Sequence, residues 1–405
     1  MDNTSISVNT SSLVNILTLR YDSGITPNLP KINHTNFSKH DSEPSLEKIE
    51  QLIEKNIRSK IPSNVDSISI ALSGGVDSTL ILGLIRKIFP KLKINAISVK
   101  FQNSVDESLP ASKIANFLDA NHHVIEIKNY LHELPKAISI IKQPFWDTHW
   151  YYVTKKAKTL SKFLATGDGG DEIFGGYTFR YKKFLELTYD NSSVDEKITA
   201  YLKCHERDSV PDQDKIFHKN IKFSWNSIHK TLYPFFDNDL QRLDQVMLAD
   251  YNGKLLYNFS IVNNSLQKYF KLESISPLLS ENLISYMIPY KIHYKYNSQN
   301  NVGKLLLRKL LKKYKLEKFM TNEKLGFNAN TVELWNSYGK KLCEKYLING
   351  EIIKNNIINQ KWIEQHIDNE CLEIKYVNKF LGLLACEIWY QLFITKQMNP
   401  NTKLY

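Results

Sequence analysis

The sequence predicts an α/β fold, a doubly wound parallel sheet followed by a mainly helical C-terminal part. Three observations predict it. Short β-branched runs alternate with helix-periodic runs between residues 67 and 166, the pattern of parallel strands joined through helices. The first of these strands stops at two glycines, Gly74 and Gly75, and the chain resumes as a helix. After about residue 180 the alternation fades into long aromatic and Leu/Ile-rich helical patterns, with no internal repeat and no heptad array.

Taken in order, residues 1–44 are rich in Asn, Ser and Thr and contain Pro27 and Pro30, which predicts an irregular leader. Ser45 can then cap a helix whose apolar face is Leu46, Ile49, Leu52, Ile53 and Ile57, and globular structure is expected to begin there. Ser67–Leu72 reads as a strand, Thr79–Ile88 as a helix and Lys93–Phe101 as a strand. Leu109–Asp119 follows as a helix, Val124–Ile127 as a strand, Thr148–Ser161 as a helix and Phe163–Thr166 as a strand. The expected division is a leader over 1–44, an α/β part over 45–185 and a mainly helical part over 186–405.

Composition excludes several classes. Of 405 residues 42% are hydrophobic and 23% charged, which fits a folded globular chain rather than a disordered or fibrous one. The longest apolar stretch, Phe380 to Ile394, is interrupted by Glu387 and is shorter than the roughly 20 residues that cross a bilayer. The N-terminus lacks the basic and then apolar pattern of a secretory signal, so no membrane contact and a cytoplasmic location are expected. Cys204, Cys343, Cys371 and Cys386 are scattered without metal or redox spacing and read as reduced structural thiols. The net charge of +11 is spread thinly. Its one dense stretch, Lys304 to Lys318, has Leu305, Leu306, Leu310 and Leu311 at helical spacing, which reads as a solvated helix face rather than a nucleic-acid surface.

Two motifs carry chemistry. In SGGVDST, Ser73 to Thr79, a strand-to-helix turn converges backbone N–H groups on one point suited to an anion. Gly74 and Gly75 allow close approach of the backbone, and Ser73, Ser78 and Thr79 offer hydroxyl donors. Asp77 would repel a phosphate there unless a divalent cation lay between them, which makes it a candidate Mg²⁺ ligand. The loop lacks the Walker A pattern and its phosphate lysine. TGDGGDEIFGGY, Thr166 to Tyr177, follows the strand ending near Ala165 and so lies at the same carboxyl edge of the sheet, able to face the first loop. Asp168, Asp171 and Glu172 place three carboxylates in it, a density that requires a compensating cation.

Together these motifs resemble the paired signature of the asparagine synthetase family, whose synthetase domain is an adenylating ATP pyrophosphatase with an adenine nucleotide α-hydrolase-like (HUP) sheet. The resemblance extends over about residues 16–396 through the Asp106–Glu107 pair, Lys304 to Arg308, NEKLGF at Asn322 to Phe327, and the helix Gly382 to Ile394. It implies that Ser73, Gly74, Gly75 and Ser78 hold pyrophosphate and that Asp77 and Asp171 carry Mg²⁺. It also implies that Leu72, Val99, Thr166 and Gly167 line the ATP site. Lys324 falls on the family's catalytic lysine, and Asp168 falls where the family commonly has a Glu needed to form the acyl-adenylate.

The sequence departs from the family at Asp168, one methylene short, at Asn322 in place of an arginine, and at Ile275 in LESISP, where an arginine is usual. A proline expected near Asn330 is also missing. The family's glutaminase half, with its cysteine nucleophile after Met1, is expected to be absent, since position 2 is Asp and Leu13 to His34 resembles the end of such a domain. The implied activity is ATP-dependent amidation of a small-molecule carboxylate, aspartate first among candidates. The amine is ammonia or another donor, and a separate glutaminase subunit is one source. The rivals are an amide or lactam ligase for a different acid and a nucleotide- or RNA-binding protein without catalysis.

Overall fold

The computed structural model describes residues 8–37, 42–102, 106, 108–320, 330–369 and 372–405. Its centre is a five-stranded sheet in the order β3-β2-β1-β4-β5, with every described pairing parallel. The strands are β1 Ser67–Ala71, β2 Lys93–Phe101, β3 Asn121–Ile127, β4 Phe163–Ala165 and β5 Glu273–Ile275. The central strands are covered on both faces, so β1 buries Ile68, Ser69 and Ile70 alike and its burial does not alternate. Edge strand β3 alternates instead, with Val124 47% exposed and Ile127 buried.

The helices before and between the strands follow the sequence reading closely. Ser45 caps α2, Leu46–Lys60, by accepting the Lys48 N–H at 3.2 Å, and Ile49, Ile53 and Ile57 are fully buried against the sheet layer. α3 spans Val76–Ile88, α4 Ser108–Phe117, α5 Leu134–Ile141 and α6 His149–Lys158. α3 begins three residues earlier than the periodicity suggests, because the loop glycines lead straight into its first turn. After β4 comes the short helix α7, Gly170–Phe174.

The later part is helical, as expected, with one exception. The helix Arg242–Asp250 runs through a π-helical stretch, Tyr251–Phe259, into α8, Ser260–Phe270, and the chain then returns as β5 beside β4. LESISP therefore contains a strand that its composition did not announce. Further on, α9 spans Leu305–Lys313 and α10 spans Ile374–Phe393. The first lysine of the basic stretch does not share a solvated face: Lys304 turns inward, while Lys309 and Lys313 pair with Glu43 and Glu50.

The irregular leader also needs correction. Thr10–Leu19 forms helix α1, which buries Leu13, Val14, Ile16, Leu17 and Leu19 in the cores shared with the helical part. Its last carbonyls are taken by distant side chains. Leu17 O accepts from Gln213 Nε2 at 3.0 Å and from Lys379 Nζ, and Arg20 O accepts from Asn258 Nδ2 at 2.7 Å. These partners satisfy orphan groups at the helix end, so tertiary contacts stabilise a helix whose Ser, Thr and Asn residues favour turns. Among the described residues no helix is long and apolar enough to cross a membrane, and Cys204, Cys343 and Cys386 are buried free thiols. Cys371 lies outside the described residues.

Leu17 tests this integration directly. It is 4% exposed, and Leu17→Ala is expected to destabilise the chain by about 2–5 kcal/mol in urea unfolding. A change within about 0.5 kcal/mol is what a passive surface leader would give.

Candidate active site

The strand order reverses between β1 and β4, which places the two loops following these strands side by side at the carboxyl edge. Their contact is intimate. A Cβ on Gly167 would lie 2.8 Å from Asp77 Cβ and 2.9 Å from Ser78 N, so only glycine lets the second loop pass across the first turn of α3. One at Gly170 would overlap the Asp77 carboxylate.

The first loop is a closed hydroxyl ring. Ser78 Oγ accepts from Ser73 N at 3.3 Å and lies 3.3 Å from Ser73 Oγ, which in turn accepts from Gly75 N at 3.3 Å. These are long bonds that a stronger acceptor could displace. Gly74 takes a left-handed φ of 75°, and Gly75 occupies the cap position of α3 without a side-chain cap, leaving first-turn N–H groups for an anion. Thr79 is fully buried, and its hydroxyl makes no hydrogen bond to this ring among the described residues. Leu72 follows β1 and Val99 lies within β2, and both are buried. Leu72 N donates to Ile97 O at 2.8 Å and Leu72 O accepts from Ser98 Oγ at 2.6 Å.

In the second loop the three acids separate into different roles. Asp171 faces Asp77 across Lys304, whose Nζ is 2.5 Å from Asp77 Oδ2 and 2.8 Å from Asp171 Oδ1. Burial works against the Lys304 charge, but the two carboxylates outweigh it and hold its pKa above the ordinary lysine value. Glu172 turns into the core instead and accepts from Tyr177 OH at 2.5 Å. Its pKa is pushed up to about 7 by burial and then by the charge of Asp171.

Asp168 is clamped at one oxygen. Thr166 Oγ1 donates to Asp168 Oδ2 at 2.8 Å and Asn263 Nδ2, from α8, donates to the same atom at 2.7 Å. Thr166 N donates to Ile275 O at 2.9 Å, so β5 holds the loop that holds the acid. Burial pushes the Asp168 pKa up to about 6, against the lowering effect of Thr166 and Asn263 and with a further rise from Asp77.

The structure thus brings Asp77, Asp171, Ser78 and Gly167 together. Asp106 pairs with Lys100 at 2.9 Å. Lys324, Asn322 and Glu107 lie outside the described residues. Lys304 and Asn263 are the participants that sequence reasoning did not assign to the site. The glycine before Lys304 was a signal available for the first, while Asn263 lies in a helix of mixed composition that offered none. No cluster of three or more metal-ligating side chains occurs among the described residues. Two carboxylates around one cation position nevertheless suit Mg²⁺, which is commonly held by one or two carboxylates together with phosphate oxygens.

Known proteins resemble this chain over much of its length. The asparagine synthase family model matches residues 48–391. An asparagine synthetase (glutamine-hydrolyzing) 1 of Bacillus subtilis is 24% identical over 386 residues, covering 85% of this chain and 58% of its own length. A putative asparagine synthetase (glutamine-hydrolyzing) 2 of Methanocaldococcus jannaschii is 28% identical over 143 residues, covering 34% of this chain and 28% of its own. The solved NMN synthetase of Francisella tularensis covers 51% of this chain and 92% of its own at 17% identity and a TM-score of 0.27. The chain therefore spans little more than half of the first relative and under a third of the second.

The raised pKa of Asp168 fixes the sign of a stability effect. The folded protein holds this proton more tightly than the unfolded chain, so the contribution is fully present below the ordinary value of 3.8 and is lost as pH rises through about 6. Asp168→Asn is accordingly expected to stabilise the fold above pH 6, with the gain vanishing on acidification. Urea unfolding of both proteins on either side of that window measures it.

Proposed function

This chain belongs to the asparagine synthase family, and from that premise we propose that it is an ATP-dependent carbon–nitrogen ligase that activates a carboxylate as an acyl-adenylate and then amidates it. The observation that carries the proposal is the pair of acids from two loops, Asp77 and Asp171, meeting at one cation position beside an uncapped helix start.

In this reading Ser73, Gly74, Gly75 and Ser78 hold the β- and γ-phosphates through backbone N–H and hydroxyl groups, and Leu72, Val99, Thr166 and Gly167 line the nucleotide. Asp77 and Asp171 would hold Mg²⁺, which supplies charge neutralisation for departing pyrophosphate. The substrate carboxylate oxygen bonds to the α-phosphorus as the bond to pyrophosphate breaks. The amine then bonds to the acyl carbon, AMP departs with the former carboxylate oxygen, and the amine loses a proton. Asp168, anchored at Oδ2, presents Oδ1 as a proton acceptor, and its pKa near 6 suits that task close to neutrality. Lys324 is assigned by resemblance to the charge on the transferring centre.

Aspartate with ammonia, giving asparagine in a cytoplasmic amino-acid biosynthetic role, is the first substrate pair to test. Ammonia would be free or delivered by a separate glutaminase subunit. A second reading keeps the chemistry and changes the acid. It is favoured by Ile275, fully buried in β5 where the family usually has an arginine, so that this position offers no charge to a substrate carboxylate.

Pyrophosphate release from ATP with MgCl₂, aspartate and ammonium chloride is the expected outcome in the wild-type chain. Asp77→Asn and Asp171→Asn should each lower the rate by about a hundredfold or more with an unchanged circular dichroism spectrum. Wild-type rates in both variants would remove the assignment, and release with another acid but not aspartate would select the second reading.

A further inference from the structure

Lys304 already stands where the metal is expected, and the backbone is shaped to put it there. Its φ of 57° is left-handed, uncommon for a residue with a Cβ, and its N–H bonds Phe174 O at 3.1 Å. Gly176 leaves room for its stem, since a Cβ there would collide with Asp171 Oδ1 and Lys304 Cε. Gly303 packs on the Gly175 carbonyl, where any side chain would clash. At the far end of α9, Lys313 is 2.5 Å from Glu50 Oε2, and Lys87 of α3 is 2.8 Å from Glu50 Oε1. The helix carrying Lys304 is thereby tied to the helix carrying Asp77. The Lys304 side chain is 12% exposed, and those of Asp77 and Asp171 are 17% and 24% exposed.

Charge counting then constrains what can enter. Taken by themselves, the two carboxylates and the Lys304 ammonium carry a net charge of −1, and Arg308 adds positive charge near Asp77. Adding Mg²⁺ with nothing displaced makes the enclosed group +1 and sets two cations against each other. Putting Mg²⁺ in place of the ammonium neutralises the carboxylates but leaves a buried lysine without its counter-ions. Both arrangements are unfavourable at low exposure, and both become favourable when an anion arrives with the metal. Mg²⁺ also needs oxygens at about 2.1 Å, closer than either carboxylate stands to Nζ, so it cannot share the position as it is.

We propose that Lys304 is a built-in counter-ion that occupies the Mg²⁺ position until a nucleoside triphosphate arrives, so that metal enters only with the nucleotide and the displaced ammonium transfers to its phosphates. The proposal rests on the ligase reading only for the identity of the anion. The block itself follows from the three side chains.

The test uses the full chain and two probes, Mn²⁺ uptake followed by electron paramagnetic resonance, and thermal unfolding in EDTA or in millimolar MgCl₂. Wild type is expected to take up Mn²⁺ with ATP and not without it. Lys304→Met should bind Mn²⁺ without nucleotide at least about tenfold more tightly than wild type. Its Tm should be lower than wild type in EDTA and be raised by MgCl₂. If Lys304→Met does not fold in EDTA, the double variant Asp77→Asn with Lys304→Met decides the matter. Recovery of folding together with loss of the metal response supports like-charge repulsion as the cause, and no recovery assigns Lys304 a packing role and overturns the proposal. Equal Mn²⁺ affinity of the wild type with and without ATP also overturns it. A wild-type chain that couples Mn²⁺ to ATP but releases no pyrophosphate with any acid leaves this inference standing and removes the ligase reading instead.

Discussion

The site depends on one ionic contact, the Lys304 ammonium held between Asp77 and Asp171. Without a cation there, the two loops could not lie as close as Gly167 and Gly170 allow, because their carboxylates would repel across a partly dehydrated gap. The glycines and the lysine are therefore two halves of one solution. Glycine removes the steric barrier between the loops and lysine removes the electrostatic one. The topology supplies the rest, since only the reversal of strand order between β1 and β4 sets these two loops next to each other.

Behind the second loop lies a framework of buried charge. Arg180, just after the loop, stacks over the Tyr177 ring at 4.0 Å and reaches Asp250 at 3.4 Å, and Asp250 also accepts from Tyr201 OH at 2.9 Å. Asp208 joins Lys254 to Arg20, which binds α1 into the same network. Breaking one such pair costs about 3–5 kcal/mol, while forming it yields little net stability, so its effect falls on alternative arrangements. The helical part thus serves to hold the loop carrying Asp168 and Asp171 in a single geometry.

The sheet was legible because its central strands, Ser67–Ala71 and Lys93–Phe101, are short Ile- and Val-rich runs without acidic residues or glycine, as strands buried on both faces require. The loops were legible because their glycines and acids have no other economical explanation. What escaped was whatever tertiary structure decides. β5 has three residues, and only the open edge beside β4 makes Glu273–Ile275 a strand. α1 lies in a leader whose Ser, Thr, Asn and Pro residues read as irregular, and its end is bonded by Gln213, Lys379 and Asn258 from elsewhere in the chain. Lys304 falls outside the leucine stripe of α9 and so read as solvated, whereas its left-handed backbone aims it back into the molecule. Asn263 gave no periodic signal, because its meaning lies in a single hydrogen bond to Asp168.

The placement of Lys304 also has a temporal side. Asp77 and Asp171 lie in the first half of the chain, and the lysine that neutralises them comes more than a hundred residues after the second of them. At translation speeds of about 5–20 residues per second, the two acidic loops leave the ribosome on the order of ten seconds before their counter-ion. Until residue 304 is made, the two acidic loops lack the counter-ion that holds them together in the folded chain. The site is therefore completed late in synthesis, when the chain supplies its own cation to two acids made long before.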